Sequence, residues 1–341
     1  MVEMSSREIV RRCITFADPP RIAMSFTTMP IAGRVWSFDD FASVSYGPDP
    51  NFHPRRENES EWGYVMTTFD PTGENMGQPR ENPLAGGWEL YEHYRWPDFD
   101  HPARYADLDK QVAAAHAQGK YVYTHIPSLM LLASALRGME NWLLDHLLHP
   151  SELGELLDRI TEIRLKIIDR AHRAGVDGVI TWDDMGTNER GFVSAEVFRR
   201  IYFPRYKRAI DALHERGMHL LHHCCGSVRE YMDMFVEAGL DVLQLDQPNL
   251  MGIDWLSEHY GGKLCFWNPV DIQTTAPTND PERIADEAHH QVWAFGRFNG
   301  GFMVKAYYQP GSIGMTVEAA EAQYQAFMRY GRYPLIPYPQ R

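Results

Sequence analysis

His222, His223, Cys224, Cys225 and Gly226 stand in a row at the end of a short apolar run, residues 217–223. Imidazole nitrogen and thiolate sulfur are the ligand types that suit zinc. Side chains two apart on a strand share a face. His223 and Cys225 can therefore converge on one ion, while His222 and Cys224 point the other way. Spacing alone leaves a second reading open: buried cysteines pack as small hydrophobes, and a histidine can be a satisfied core group.

Other runs also end in polar residues. They give His125, Asp183 with Asp184, Asp246 with Gln247, Trp267 with Asn268, and Lys305 with Tyr307 and Tyr308. Polar groups at nearly every run end are what a shared polar pocket requires. Asp183 and Asp184 can act as metal ligand, general base or hydrogen-bond acceptor; for one of the two, capping a helix is the plainer reading. Lys305 can bind an anionic substrate or pair with a carboxylate, and pairing is the commoner fate. Asp183, Asp184, His223 and Lys305 are the catalytic candidates. His125, Trp267, Asn268, Tyr307 and Tyr308 are read as substrate-binding, and Trp36 and Trp62 add to an aromatic wall.

The elements that must position these residues repeat a pattern. Seven β-favouring runs, near 21–26, 120–125, 175–183, 217–223, 239–246, 262–268 and 300–305, alternate with amphipathic helical stretches. Ser194, Asp280 before Pro281, and Thr316 mark helix starts. Such alternation implies parallel strands with helical crossovers. An α/β fold follows, a (β/α)8 TIM barrel, with a doubly wound open sheet as the alternative. In a barrel of this kind the chemistry sits where strands end. The 341 residues are expected to form a single barrel domain. Residues 47–102, rich in Pro, Gly and aromatics, form an N-terminal excursion read as a lid or pocket wall near the mouth, or as a structural cover.

Composition excludes several classes. The net charge of −13 with no basic stripe argues against nucleic acid as a partner. Four cysteines in so long a chain make a disulfide framework improbable. No apolar stretch reaches membrane-spanning length, and no signal segment opens the chain, so a cytoplasmic location is expected. Nucleotide-binding glycine loops are absent.

At His223-Cys224-Cys225-Gly226, followed by Val228 and by the run 239–243, the chain resembles the uroporphyrinogen decarboxylase superfamily. The resemblance is to its branch of corrinoid-dependent methyltransferases. Glu61-Trp62-Gly63-Tyr64, Trp96-Pro97-Asp98, Asp183-Asp184-Met185-Gly186, Phe203-Pro204-Arg205-Tyr206 and Asp271-Ile272-Gln273 extend it, in order, from about residue 40 to the C-terminus. The resemblance implies a barrel with its site at the C-terminal mouth. It also implies zinc held by His223, Cys225 and a later cysteine, with a corrinoid (cobalamin) supplied by a partner protein. The later cysteine is replaced: the comparable stretch reads Gln309-Pro310-Gly311-Ser312. A carboxylate, Tyr308, Gln309 or water would complete the site, or no zinc would bind. Uroporphyrinogen decarboxylation is disfavoured, because Pro30-Ile31-Ala32-Gly33-Arg34 keeps only the end of that enzyme's arginine-rich stretch.

The function expected is methyl transfer between a small methylated substrate, an aromatic methyl ether as first choice, and a corrinoid protein. The alternatives are a lyase acting on a small carboxylic acid, with Lys305 and Arg34 as its anion-binding residues, and a non-catalytic barrel that binds a tetrapyrrole or corrinoid. A homodimer is the candidate assembly.

Overall fold

A computed structural model describes residues 4–26, 38–67, 77–307 and 310–339. Eight short strands form one parallel sheet. They are β1 (Ala23–Ser25), β2 (Phe41–Ser43), β3 (Tyr121–His125), β4 (Gly178–Trp182), β5 (His219–Cys224), β6 (Val242–Leu245), β7 (Cys265–Asn268) and β8 (Phe302–Lys305). β1 pairs with β8, and the sheet then runs back strand by strand to β2. The two edges meet. Asp40 N donates to Met24 O at 2.8 Å, and Met24 N donates to the Asp40 carboxylate at 2.8 Å. Arg21 grips the same carboxylate at 2.6 and 2.7 Å. The sheet is therefore a nearly closed (β/α)8 barrel, and the open-sheet alternative is set aside because its two edges would lie apart. β2 is the strand that the sequence pattern did not reveal.

Period-two alternation sorts each strand's residues between barrel interior and helix layer. Ala23, Phe41, Tyr121, Ile180, Leu221, Val242, Cys265, Trp267 and Met303 fill the interior as one apolar cluster. The helix Ser6–Thr15 plugs the N-terminal end with Ile9, Val10, Cys13 and Ile14. It is tied there by Arg7 N to Gly119 O and Gly301 N to Cys13 O, both 2.7 Å. That end is closed, so ligands can enter only at the opposite mouth.

Outside the barrel, helices bury apolar stripes against the strands. The longest, Pro150–Ala174, carries Leu153, Leu156, Leu157, Ile160, Ile163, Ile167 and Ile168 at helical spacing and ends on Gly175 in the left-handed region. Ser194, Asp280 and Thr316 each cap a helix through their side chains. Within 47–102 lie a two-stranded hairpin, Val65–Thr67 with Gln78–Arg80, and a short 3-10 turn, Trp88–His93. Trp62, Leu84 and Phe99 from this segment join the main core. Among the described residues, no helix is long and apolar enough to cross a membrane.

On β5, His222 and Cys224 face the helices. The His222 ring is fully buried, edge-on to Tyr206 at 5.3 Å and beside Phe235 at 5.4 Å. Burial, with help from the Arg164 charge, pushes its pKa down to about 3. The unfolded chain takes up that proton near the ordinary histidine value of about 6.5, well before the folded chain does. Stability is therefore full above about pH 6.5 and is lost as pH falls toward 3, by up to about 1.4 kcal/mol per pH unit from this residue. In urea titrations between pH 4 and 6, His222→Phe should show the shallower acid loss. Parallel curves for the two proteins would refute the assignment.

Candidate metal and substrate site at the barrel mouth

The alternation that puts Leu221 in the interior puts His223 one layer higher, at the mouth. Its neighbours at that level are set by register: Trp182 on β4 and Gln244 on β6. After β5 the chain turns sharply at Gly226, whose φ is +83°. A Cβ there would lie 2.1 Å from Gly186 O, and a Cβ on Gly186 would lie 2.6 Å from Ser227 O. The loops after β4 and β5 thus run backbone to backbone. Cys225 N donates to Asp184 Oδ1 at 3.3 Å, Met185 N to Cys225 O at 3.3 Å, and Gly226 N to Gln247 Oε1 at 2.8 Å. Gly226→Ala combines a left-handed backbone with overpacking and should cost about 2–4 kcal/mol. A chemical-denaturation midpoint close to that of the parent would show that the loops can separate freely.

This close approach assembles three donors of different kinds. His223 Nε2 lies 3.5 Å from Asp184 Oδ1 and 3.6 Å from Cys225 Sγ, and the three ligand atoms all fall within 4.8 Å of one another. Burial opposes ionisation of Asp184, but its hydrogen bond and charge attraction to His223 outweigh this and hold its pKa below the usual carboxylate value. Burial and the nearby Asp184 and Asp246 charges push the Cys225 thiol up. A half-buried carboxylate, a sulfur and an imidazole nitrogen facing one another fit a divalent cation, whose charge reverses the local electrostatics and favours thiolate.

Behind His223 a second set of polar residues is fully connected. Nδ1 of His223 bonds to Gln244 Oε1. Gln244 Nε2 donates to Asp246 Oδ1 at 2.8 Å. Lys305 Nζ donates to both, at 3.3 Å to Gln244 Oε1 and 3.0 Å to Asp246 Oδ1. Burial would raise the Asp246 pKa, but Lys305 and His223 hold it low.

The uroporphyrinogen decarboxylase family profile matches residues 125–291, which begin at the end of β3 and include every strand from β4 to β7. No curated protein sequence matches the chain. Among solved structures it is similar to a methyltransferase from Methanosarcina mazei, with TM-score 0.67 and 12% identity, covering 96% of this chain and 99% of that one. A B12-independent methionine synthase from Shewanella sp. W3-18-1 is a weaker likeness, with TM-score 0.46, 12% identity and 66% of each chain covered. At 12% identity the first of these likenesses speaks for the fold alone.

Around the barrel mouth the other candidate residues divide. Lys305 reaches the mouth, paired with Asp246. His125 is there too, stacked on Tyr46 at 4.4 Å and tilted toward Trp182 at 6.3 Å. Tyr307 lies beside Lys305, whose Nζ is 5.7 Å from its ring centre, and it hydrogen-bonds Ser312. Burial raises the Tyr307 pKa to about 12.

Three candidates are placed elsewhere. Asp183 is fully buried beneath the helix Met130–Arg137, accepting from Leu129 N, Met130 N and Leu131 N at 3.0, 3.2 and 2.8 Å and from the Tyr206 hydroxyl. Asn268 is fully buried, with its oxygen on Leu245 N and its nitrogen on Gln291. Trp267 lies in the interior cluster, stacked on Phe41 at 4.8 Å. Tyr308, Gln309, Arg34 and Trp36 fall outside the described residues.

Two mouth residues escaped the sequence reading. Gln244 lies two before Asp246, so alternation alone could have found it. Trp182, 46% exposed at a strand end, was passed over as one more apolar residue of its run.

Proposed function

We propose that this chain is a methyltransferase that moves a methyl group between a small methylated substrate and a corrinoid carried by a partner protein. The observation that carries this reading is the convergence of Asp184, His223 and Cys225 at the mouth of a barrel that matches the uroporphyrinogen decarboxylase profile. Asp184 takes the place that the resemblance gives to a later cysteine, so Ser312 need not bind metal. Zinc is the ion that this mixed nitrogen, sulfur and oxygen set suits, with one coordination position left for substrate. A bound zinc ion would supply Lewis acidity to an oxygen of the substrate.

The chain's own residues do the rest. Cys225 must give up its thiol proton to ligate. Trp182, His125 and Tyr307 line the mouth with rings and favour a flat substrate, which supports an aromatic methyl ether. The methyl–oxygen bond then breaks with its electron pair kept by oxygen, and the methyl passes to the partner's corrinoid. Lys305 is tied to Asp246, which weakens the reading of a lyase that binds a small carboxylate.

The test uses the full chain with a reduced corrinoid protein and a panel of methyl ethers, amines and thioethers. Loss of the Co(I) absorbance with one donor class is expected, and only in the presence of this chain. No spectral change with any donor, while the protein holds stoichiometric metal, would overturn methyl transfer to a corrinoid.

A further inference from the structure

Gln244 was not among the candidates, yet it touches the ring nitrogen of His223 that faces away from the site. Its amide orientation is fixed by two neighbours other than His223. Lys305 has only donors, so the amide atom it meets must be the oxygen. Asp246, held ionised by Lys305, only accepts, so the amide atom it meets must be the nitrogen. The oxygen therefore faces His223 Nδ1, and an oxygen can be satisfied there only by an N–H. Gln244 is buried, so water cannot stand in for either partner. A free imidazole prefers the opposite tautomer, with its proton on Nε2. Here that proton would point at Asp184 and Cys225 and block the very lone pair a cation needs.

We infer that Gln244 is a positioning residue: through Lys305 and Asp246 it keeps a proton on His223 Nδ1, so that Nε2 is the nitrogen that faces Asp184 and Cys225 and gives its lone pair to a cation. Lys305 acts here as an orienting group for Gln244. The tautomer follows from the hydrogen-bond network alone; its value for holding a metal rests on the function proposed above.

Two variants of nearly equal volume separate this role from simple packing. Gln244→Glu, made throughout together with Asp246→Asn so that its second oxygen still meets a donor, keeps an acceptor facing Nδ1 at unchanged net charge. Gln244→Met keeps the shape and removes the acceptor. Long-range proton–nitrogen NMR of the metal-stripped, histidine-labelled full chain, followed over a range of pH, reads which ring nitrogen carries the proton. The His223 signals are identified by their loss in His223→Ala. Wild type and Gln244→Glu should show the proton on Nδ1, and Gln244→Met should move it wholly or partly to Nε2. In zinc competition against a chelator, Gln244→Met should bind roughly 10–100-fold more weakly, the usual cost of losing a partner to a ligating histidine, and Gln244→Glu should stay within a few-fold of wild type. A wild-type proton on Nε2, or an unchanged tautomer in Gln244→Met, overturns the inference. A correct tautomer in a wild-type protein that takes up no zinc overturns the proposed metal function and leaves the Gln244 assignment standing.

Discussion

Cys225→Ala should take the purified chain from about one metal ion to almost none, and methyl transfer should fall by roughly 10³-fold. The second figure follows from the first. Lewis-acid polarisation is worth several kcal/mol at the transition state, and each 1.4 kcal/mol is about tenfold in rate. Among the described residues Asp184, His223 and Cys225 are the three His, Cys, Asp or Glu donors that face one another, so removing one leaves two of that kind. Asp184→Asn should give a similar loss of metal, because a neutral amide is a poorer ligand than a carboxylate. Neither change should unfold the protein, since Cys225 and Asp184 are only partly buried at the rim of the barrel. Elemental analysis beside donor-dependent corrinoid methylation checks both parts. A Cys225→Ala protein that keeps its metal would remove Cys225 from the ligand set.

The neighbouring aspartate should respond in the opposite way. Asp183→Ala is expected to destabilise the fold by about 3–5 kcal/mol, the range for stripping a buried charge from its partners. Its two oxygens take three backbone N–H groups at the start of Met130–Arg137 and the Tyr206 hydroxyl. Alanine would leave all four donors buried without acceptors. Asp183→Asn should fare little better, because its NH₂ would meet N–H or O–H groups with another donor. Urea denaturation measures the loss. A fall under about 1 kcal/mol, below what one buried unsatisfied donor costs, would show that the helix start rearranges instead. The pair Asp183 and Asp184 thus offers one contrast: the first should change stability, and the second metal content.

Much of the site was legible because strand periodicity is a local property. His223 and Cys225 were placed on one face by counting, and their position at a strand end followed from the run of residues before them. Gly226 could be read as the residue of a tight turn, although the backbone it approaches, at Gly186, could not. The limits have equally specific causes. β2 is three residues long, lies directly after Asp39 and Asp40, and has no glycine before it, so it lacks the leading glycine that marked most of the other strands. Trp267 and Asn268 are at a strand end like His223, but that strand's register sinks Trp267 one layer into the interior and turns Asn268 outward to Gln291.

By itself, then, the sequence determined the alternation of strands and helices, the polar strand ends, and the shared face of His223 and Cys225, because each depends on residues a few positions apart. Only the tertiary structure decided which aspartate joins them. Asp183 answers the unsatisfied N–H groups of a helix more than 50 residues earlier, whereas Asp184 is drawn to the mouth by the close approach of two glycine-bearing loops. It also decided that Gln244 stands behind His223, since register across β5 and β6 pairs those residues, and register is fixed by the closure of the whole barrel.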